Sequence, residues 1–208
     1  LISKLLELKT MDKNFWEQYY SINKEPFQPS SFAREVIQNI SKNSTLLDVG
    51  CGNGRDSIFF ANNSIKTTGI DQSETVIKNL KKYENSHLIF RVDDINNLKE
   101  QKYDYAYCRF LLHSLNENEE DALLAWIKGN ISKKIFVESR VDIDKEKYEK
   151  TTHYRRLMNI DKFCKKLELY KFKIEGQEIS DKFSIYENKY NVSDVVFNPM
   201  LIRLIISK

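Results

Sequence analysis

Apolar and polar positions follow two periods along this chain. Compact apolar runs at 45–49 (TLLDV), 66–70 (KTTGI), 87–92 (HLIFRV), 103–108 (YDYAYC) and 134–139 (KIFVES) predict strands. Between them, 54–63, 73–83 and 116–129 carry apolar residues at helical spacing, the last of these stopping at Gly129. Upstream, 29–40 (PSSFAREVIQNI) places Phe32, Val36, Ile37 and Ile40 on one face behind a serine cap. Strands that alternate with helices in this way predict a parallel sheet joined by crossover helices. After the fifth strand the pattern changes. A short helix at 159–170 turns Ile160, Phe163, Cys164 and Leu167 inward, and strand-like runs follow at 171–186 and 199–207. Those two lie too close in sequence for a crossover helix, which predicts an antiparallel hairpin at the end of the sheet.

Composition narrows the picture only a little. With 208 residues and 41% apolar content, the chain can bury one sizeable core, and no repeat or low-complexity linker divides it. The net charge of +3 does not point to a nucleic-acid partner, since Lys and Arg are spread out and the one dense pair is Arg155-Arg156. No apolar run approaches the roughly 18 residues of a membrane span. The start, LISKLLELKT, has no basic leading region and no cleavage site. Cys51, Cys108 and Cys164 have no metal-ligand spacing, so reduced thiols, a cytoplasmic location and no metal site are expected. The oligomeric state is left open.

The chemistry begins at LLDVGCGNGRDSIFF (46–60), which holds three of the six glycines within five positions. Glycine admits backbone conformations closed to other residues and lets a ligand approach the main chain. The turn opens a helix whose free N–H groups favour partial negative charge. A dinucleotide wants G-x-G-x-x-G, with its pyrophosphate over that helix. Here the spacing is one residue shorter, and Asp48 would face an anionic pyrophosphate. A ligand bearing an amine suits Asp48 better.

DVGCGNG (48–54) closely resembles the motif of class I S-adenosylmethionine-dependent methyltransferases: an acid, one apolar residue, then G-x-G-x-G. The resemblance implies a Rossmann-like α/β fold, with a seven-stranded, mostly parallel sheet, an antiparallel last strand and helices on both faces. It implies S-adenosylmethionine as cofactor and S-adenosylhomocysteine as product. Asp48 would lie near the methionyl amino group, and the backbone of Gly50, Cys51, Gly52, Asn53 and Gly54 would run along the ligand. Asp71, ending the second strand, would accept both ribose hydroxyls, with Gln72 flanking adenine. Asp94 would take the exocyclic amine and the Ile95 N–H a ring nitrogen, with Asp93 as the alternative register. Three acids stand in order at the ends of successive strands. The expected division is an N-terminal helical cap or lid at 1–44 and the cofactor-binding methyltransferase domain at 45–208, within one domain overall. In FWEQYY (15–20), Trp16, Tyr19 and Tyr20 share a helical face, to be either a lid over the cofactor or packing against the domain.

An acceptor belongs beyond the carboxyl ends of the strands. The Asn- or Asp-Pro-Pro-aromatic stretch of nucleic-acid amino-methyltransferases is missing there, which disfavours base N-methylation. Arg109 and His113 follow the fourth strand and would share a face if helical. His113 is a candidate general base on a hydroxyl, or a histidine packed on Leu112 and Leu115. Arg109 is placed to orient an anion or to pair with a carboxylate. Glu138 and Arg140 stand on one side of the fifth strand. His153, Tyr154, Arg155 and Arg156 form a candidate fork for phosphate or carboxylate, or a solvated helix start. FWEQYY, PFQPSSFA, YCRFLLHSL, FVESRVDID, HYRR and NPMLIRLIISK resemble a subgroup of these methyltransferases linked to bacterial capsule and surface polysaccharide, including O-methyl phosphoramidate decoration. The acceptor implied is a small molecule or glycan precursor, methylated on oxygen. YENKYNVSDVVFNPM departs from that subgroup in being longer and more polar.

Overall fold

The computed structural model describes residues 14–22, 28–143, 156–183 and 199–208. Helix α1 spans 14–22. It is followed by α2 (Ser31–Val36), β1 (Thr45–Val49), α3 (Arg55–Asn62), β2 (Lys66–Asp71), α4 (Glu74–Leu80), β3 (Leu88–Val92) and β4 (Tyr103–Arg109). Next come a 3-10 turn (Leu112–Ser114), α5 (Glu117–Asn130), β5 (Ile131–Arg140), α6 (Ile160–Leu169), β6 (Lys173–Ser180) and β7 (Leu201–Ser207). The seven strands form one sheet in the order β3-β2-β1-β4-β5-β7-β6. β1 to β5 pair in parallel, while β7 runs antiparallel to both β5 and β6. This is the Rossmann-like sheet expected, with the reversed strand last.

Alternation along buried strands sends side chains to both faces, so each face needs a cover. Leu47 and Val49 of β1 face the core that includes Leu123 and Ile127 of α5 and Phe163 and Leu167 of α6. Leu46 faces the other side, with Phe32 and Val36 of α2, Phe60 of α3, and Tyr105, Tyr107 and Phe136. Ser30 caps α2 by accepting from the Ala33 N–H at 3.0 Å. Asp56, in the first turn of α3, ties that start down. It accepts from the Ser30 N–H (2.7 Å), the Ser30 hydroxyl (2.8 Å) and the Tyr107 hydroxyl (2.9 Å).

The boundaries differ from expectation in two instructive places. α5 runs through Gly129 to Asn130, and a Cβ at Gly129 would meet nothing within 4 Å. The helix stops because Ile131 turns extended (φ −99°, ψ 132°) and directly begins β5. β5 therefore starts three residues earlier than its apolar run. In α6, Phe163 and Leu167 are buried as expected, but Cys164 is only half-buried.

The site is set by topology. β2 and β3 lie on one side of β1, while β4 and β5 lie on the other, so the chain reverses direction at the β1/β4 pair. A crevice opens beyond the carboxyl ends of strands at such a switch point. Asp48 and Arg109 stand at the ends of the two strands that flank it. No helix among the described residues is long and apolar enough to cross a membrane.

Candidate functional site

The turn after β1 has all three glycines in the left-handed region, with φ of +71° at Gly50, +52° at Gly52 and +75° at Gly54. Side chains there would strain the backbone by about 1–3 kcal/mol each. Space excludes them as well. A Cβ on Gly54 would stand 2.7 Å from Leu80 Cδ2 and 3.0 Å from Phe90 Cζ, so this glycine lets α3 settle against α4 and β3. A Cβ on Gly52 would stand 2.5 Å from the Tyr20 hydroxyl. The N–H groups of Gly50 and Cys51 both donate to the Ile70 carbonyl at 2.9 Å, which fixes the turn to the end of β2.

Two carboxylates frame the turn. Asp48 is 2% exposed and accepts a 2.5 Å hydrogen bond from the Ser57 hydroxyl of α3. Burial lifts its pKa to about 7; the Ser57 bond opposes that rise, Asp56 and Asp71 add to it, and Arg109 counters it. A buried carboxylate this reluctant to ionise is suited to a cationic ligand group. Asp71 accepts from the Gly52 N–H and the Ser73 N–H, both at 3.0 Å, and burial raises its pKa too. Gln72 is exposed on the same loop. Asp94 is exposed and caps the short turn Ile95–Asn97, accepting from the Asn96 backbone N–H at 2.9 Å. Asp93 pairs instead with Arg91 at 3.7 Å.

Helix α1 closes over this cradle. The Glu17 carboxylate accepts from the Glu74 N–H (2.9 Å) and the Thr75 N–H (3.3 Å) at the start of α4. Trp16 and Tyr20 stack with ring centroids 5.9 Å apart. Tyr20 packs with Cys51, Val76 and Leu80, and its hydroxyl reaches Gly52. Tyr19 faces outward and is exposed.

Beyond β4 the chain does something the residue types did not announce. Phe110 adopts a left-handed backbone (φ +53°) with its N–H bonded to the Glu138 carbonyl at 2.8 Å. This turns its ring beneath the Arg109 guanidinium, 4.2 Å from the centroid, and beside that of Arg140 at 5.5 Å. The His113 ring meets Phe110 edge-on at 5.8 Å. Arg109 and His113 do not share a helix face as expected, because Arg109 ends a strand and His113 sits in the separate 3-10 turn. They are brought together through Phe110. His113 is 4% exposed.

Glu138 was expected to meet an acceptor. It is 1% exposed, and its two oxygens accept from Arg109 Nε (2.8 Å) and Arg203 Nε (2.6 Å). Arg203 continues to Glu35 (2.5 Å) and the Ser31 hydroxyl (2.7 Å) of α2. Glu138 thus braces both Arg109 and Arg203. Arg156, expected in the anion fork, has its guanidinium on Glu120 and its Nε on the Leu115 carbonyl at 3.0 Å. His153, Tyr154 and Arg155 lie outside the described residues. Phe110, Glu17 and Arg203 had escaped the sequence reading. The only signal for Arg203 is its opposite charge across from Glu138 in the β5/β7 register, which needs the pairing to be known.

Residues 46–132 match the model of a family described as a methyltransferase domain. The match covers the strands and helices around the glycine turn, somewhat less than half of the chain. Solved methyltransferase structures share this fold. An S-adenosylmethionine-dependent methyltransferase from Methanosarcina mazei is 14% identical, with a TM-score of 0.67 over 83% of this chain and 96% of that one. Magnesium protoporphyrin IX methyltransferase from Synechocystis, solved with bound S-adenosylhomocysteine, is 14% identical, with a TM-score of 0.69 over 97% and 99%. A TehB-like S-adenosylmethionine-dependent methyltransferase from Corynebacterium glutamicum is 14% identical, with a TM-score of 0.65 over 96% and 99%. No curated protein matches the chain. The residues of this chain fit S-adenosylmethionine: a buried acid for an ammonium, bare backbone at the turn, and a second acid for vicinal hydroxyls.

Proposed function

We propose that this methyltransferase transfers the methyl group of S-adenosylmethionine to oxygen on a small or glycan-linked anionic acceptor, in the cytoplasmic stages of bacterial surface-polysaccharide biosynthesis. The observation that carries the acceptor class is the pair of guanidiniums, Arg109 and Arg140, held about the Phe110 ring beside the crevice. Planar guanidinium N–H donors favour phosphate or carboxylate, and stacking on Phe110 together with the Glu138 bond to Arg109 fixes how they are presented. The capsule assignment rests on the sequence resemblance alone.

In this reading Asp48 holds the methionyl ammonium, Asp71 the ribose hydroxyls, and Gln72, Asp94 and Ile95 the adenine. When bound, the cofactor supplies an electrophilic methyl group on sulfur. Trp16 and Tyr20 form the lid that keeps water away from it, with Tyr19 packed edge-on against both from outside. Arg109 and Arg140 orient the acceptor, and His113 takes the proton of an acceptor hydroxyl. His153, Tyr154 and Arg155 remain proposed acceptor contacts. A methyltransferase for another small metabolite, or a protein that binds the cofactor without transferring methyl, is the alternative reading.

His113→Ala tests the base. The variant should bind S-adenosylhomocysteine in calorimetry like wild type while losing about 10²–10⁴-fold in turnover. Turnover near wild type would remove His113 from that role. For the acceptor, surface glycans of a deletion strain should lose a methyl mass in mass spectrometry. An unchanged methylation pattern refutes the polysaccharide assignment.

A further inference from the structure

We propose that Arg156 is a positioning residue that fixes the distance between His113 and Arg140 across the acceptor site. This rests on the reading of His113 as base given above, and it assigns Arg156 no contact with the acceptor. His113 occupies a turn whose own bonds are few, Ser114 N–H to the Leu111 carbonyl (2.8 Å) and Leu115 N–H to the Leu112 carbonyl (3.3 Å). Such a turn has little stiffness of its own. Arg156 supplies what it lacks at two points. Its backbone N–H donates to the His113 carbonyl at 2.7 Å, and its side-chain Nε donates to the Leu115 carbonyl at 3.0 Å. One residue, distant in sequence, therefore grips the turn on both sides of Ser114.

The other end of that grip is anchored. The Arg156 guanidinium pairs with Glu120, a residue of α5 that is 3% exposed. Glu120 in turn accepts from Lys166 of α6 at 2.7 Å, and Lys166 also pairs with Asp121 at 3.0 Å. Two residues further on, the Met158 N–H donates to the Arg140 carbonyl at 3.0 Å, and the Asp142 N–H donates to the Met158 carbonyl at 3.1 Å. The segment 156–158 is thus bonded to β5 at one end and to the His113 turn at the other. It spans the base and the anion-binding arginine. Arginine suits this role because its planar fork can hold a carbonyl and a carboxylate at once, which lysine, a single point donor, cannot do with the same geometry.

The test uses the whole chain, labelled at the histidine ring nitrogens. The chain has three histidines, so the ring signals are few, and half-buried His87, on the far side of the sheet order from His113, serves as internal reference. In Arg156→Ala, Lys166 still neutralises Glu120, so the fold should persist, while the His113 ring signals move and its titration midpoint changes by about half a unit or more. Arg156→Lys keeps the charge on Glu120 and should give an intermediate displacement. His87 signals and the affinity for S-adenosylhomocysteine should stay within about twofold of wild type, since Arg156 does not touch the cradle. Displaced His113 signals in either variant support the proposal. If Arg156→Ala does not fold, Arg156→Lys alone decides. His113 signals and titration unchanged in every variant that folds overturn the proposal. This outcome is separate from failure of the base assignment, which His113→Ala reports through turnover.

Discussion

Asp48 should make cofactor affinity depend on pH in a range where most carboxylates are inert. Burial sets its pKa at about 7 in the free protein, and only the carboxylate form can hold the ligand's ammonium. The ionised fraction is about nine-tenths at pH 8 and about one-tenth at pH 6, so affinity should fall about tenfold, or about 1.4 kcal/mol, across that interval. The sign for folding is the opposite of the usual acidic case. A carboxyl group whose folded pKa lies above its unfolded value binds its proton more tightly when folded. Stability without ligand is therefore greatest below the unfolded value of 3.8, declines as pH rises, and levels off above about 7. The difference of about three units amounts to about 4 kcal/mol at most. Asp48→Asn removes the titrating group and nearly preserves the shape. It should bind S-adenosylhomocysteine weakly at every pH, lose the slope between pH 6 and 8, and unfold at higher denaturant than wild type at pH 8. The assays are calorimetry at pH 6, 7 and 8 and urea unfolding at pH 5 and 8. A wild-type affinity that is flat across this range, or a slope that survives in Asp48→Asn, refutes the reasoning.

Two further perturbations follow from the cradle. Gly54→Ala puts a Cβ 2.7 Å from Leu80 Cδ2 at a φ of +75° and should cost about 2–4 kcal/mol in urea unfolding; an unchanged midpoint would mean the turn relaxes at no cost. Glu17→Ala removes the carboxylate that accepts from the first N–H groups of α4, worth about 1 kcal/mol, so S-adenosylhomocysteine should dissociate about fivefold faster by stopped-flow fluorescence of Trp16. A dissociation rate equal to wild type would show that α1 does not retain the ligand.

The parts of the fold that were legible are those where local and tertiary preferences agree. TLLDV reads as a strand because four of its five residues are buried on both sheet faces, and β1 begins and ends where that run does. The glycine turn was legible because each of its three glycines takes a backbone that other residues resist. The start of β5 was hidden for the opposite reason, since Ser132 and Lys133 are exposed and polar, and they are strand only because Ile131 and Lys134 on either side pair with Tyr103 and Tyr105 of β4. Phe110 was hidden because its left-handed backbone has neither glycine nor asparagine to signal it. A reading that let the chain run on as helix put Arg109 and His113 on one face, whereas the strand stops and bends.

That bend changes what the acceptor side of the site consists of. A helix would have presented Arg109 and His113 as two independent side chains on a surface. The observed turn instead makes Phe110 the common support of Arg109, Arg140 and His113, with Glu138 and Arg203 bracing Arg109 from behind. Strain of about 1–3 kcal/mol in one residue is retained only where the surroundings enforce it. Here they do so through the bond from the Phe110 N–H to the Glu138 carbonyl and the clamp of Arg156 beyond the turn. The proposed cofactor half of the site is thus built from backbone and two acids, the kind of pattern a sequence can display. The proposed acceptor half is built from contacts between β4, β5, β7 and α5, which only the folded chain brings together.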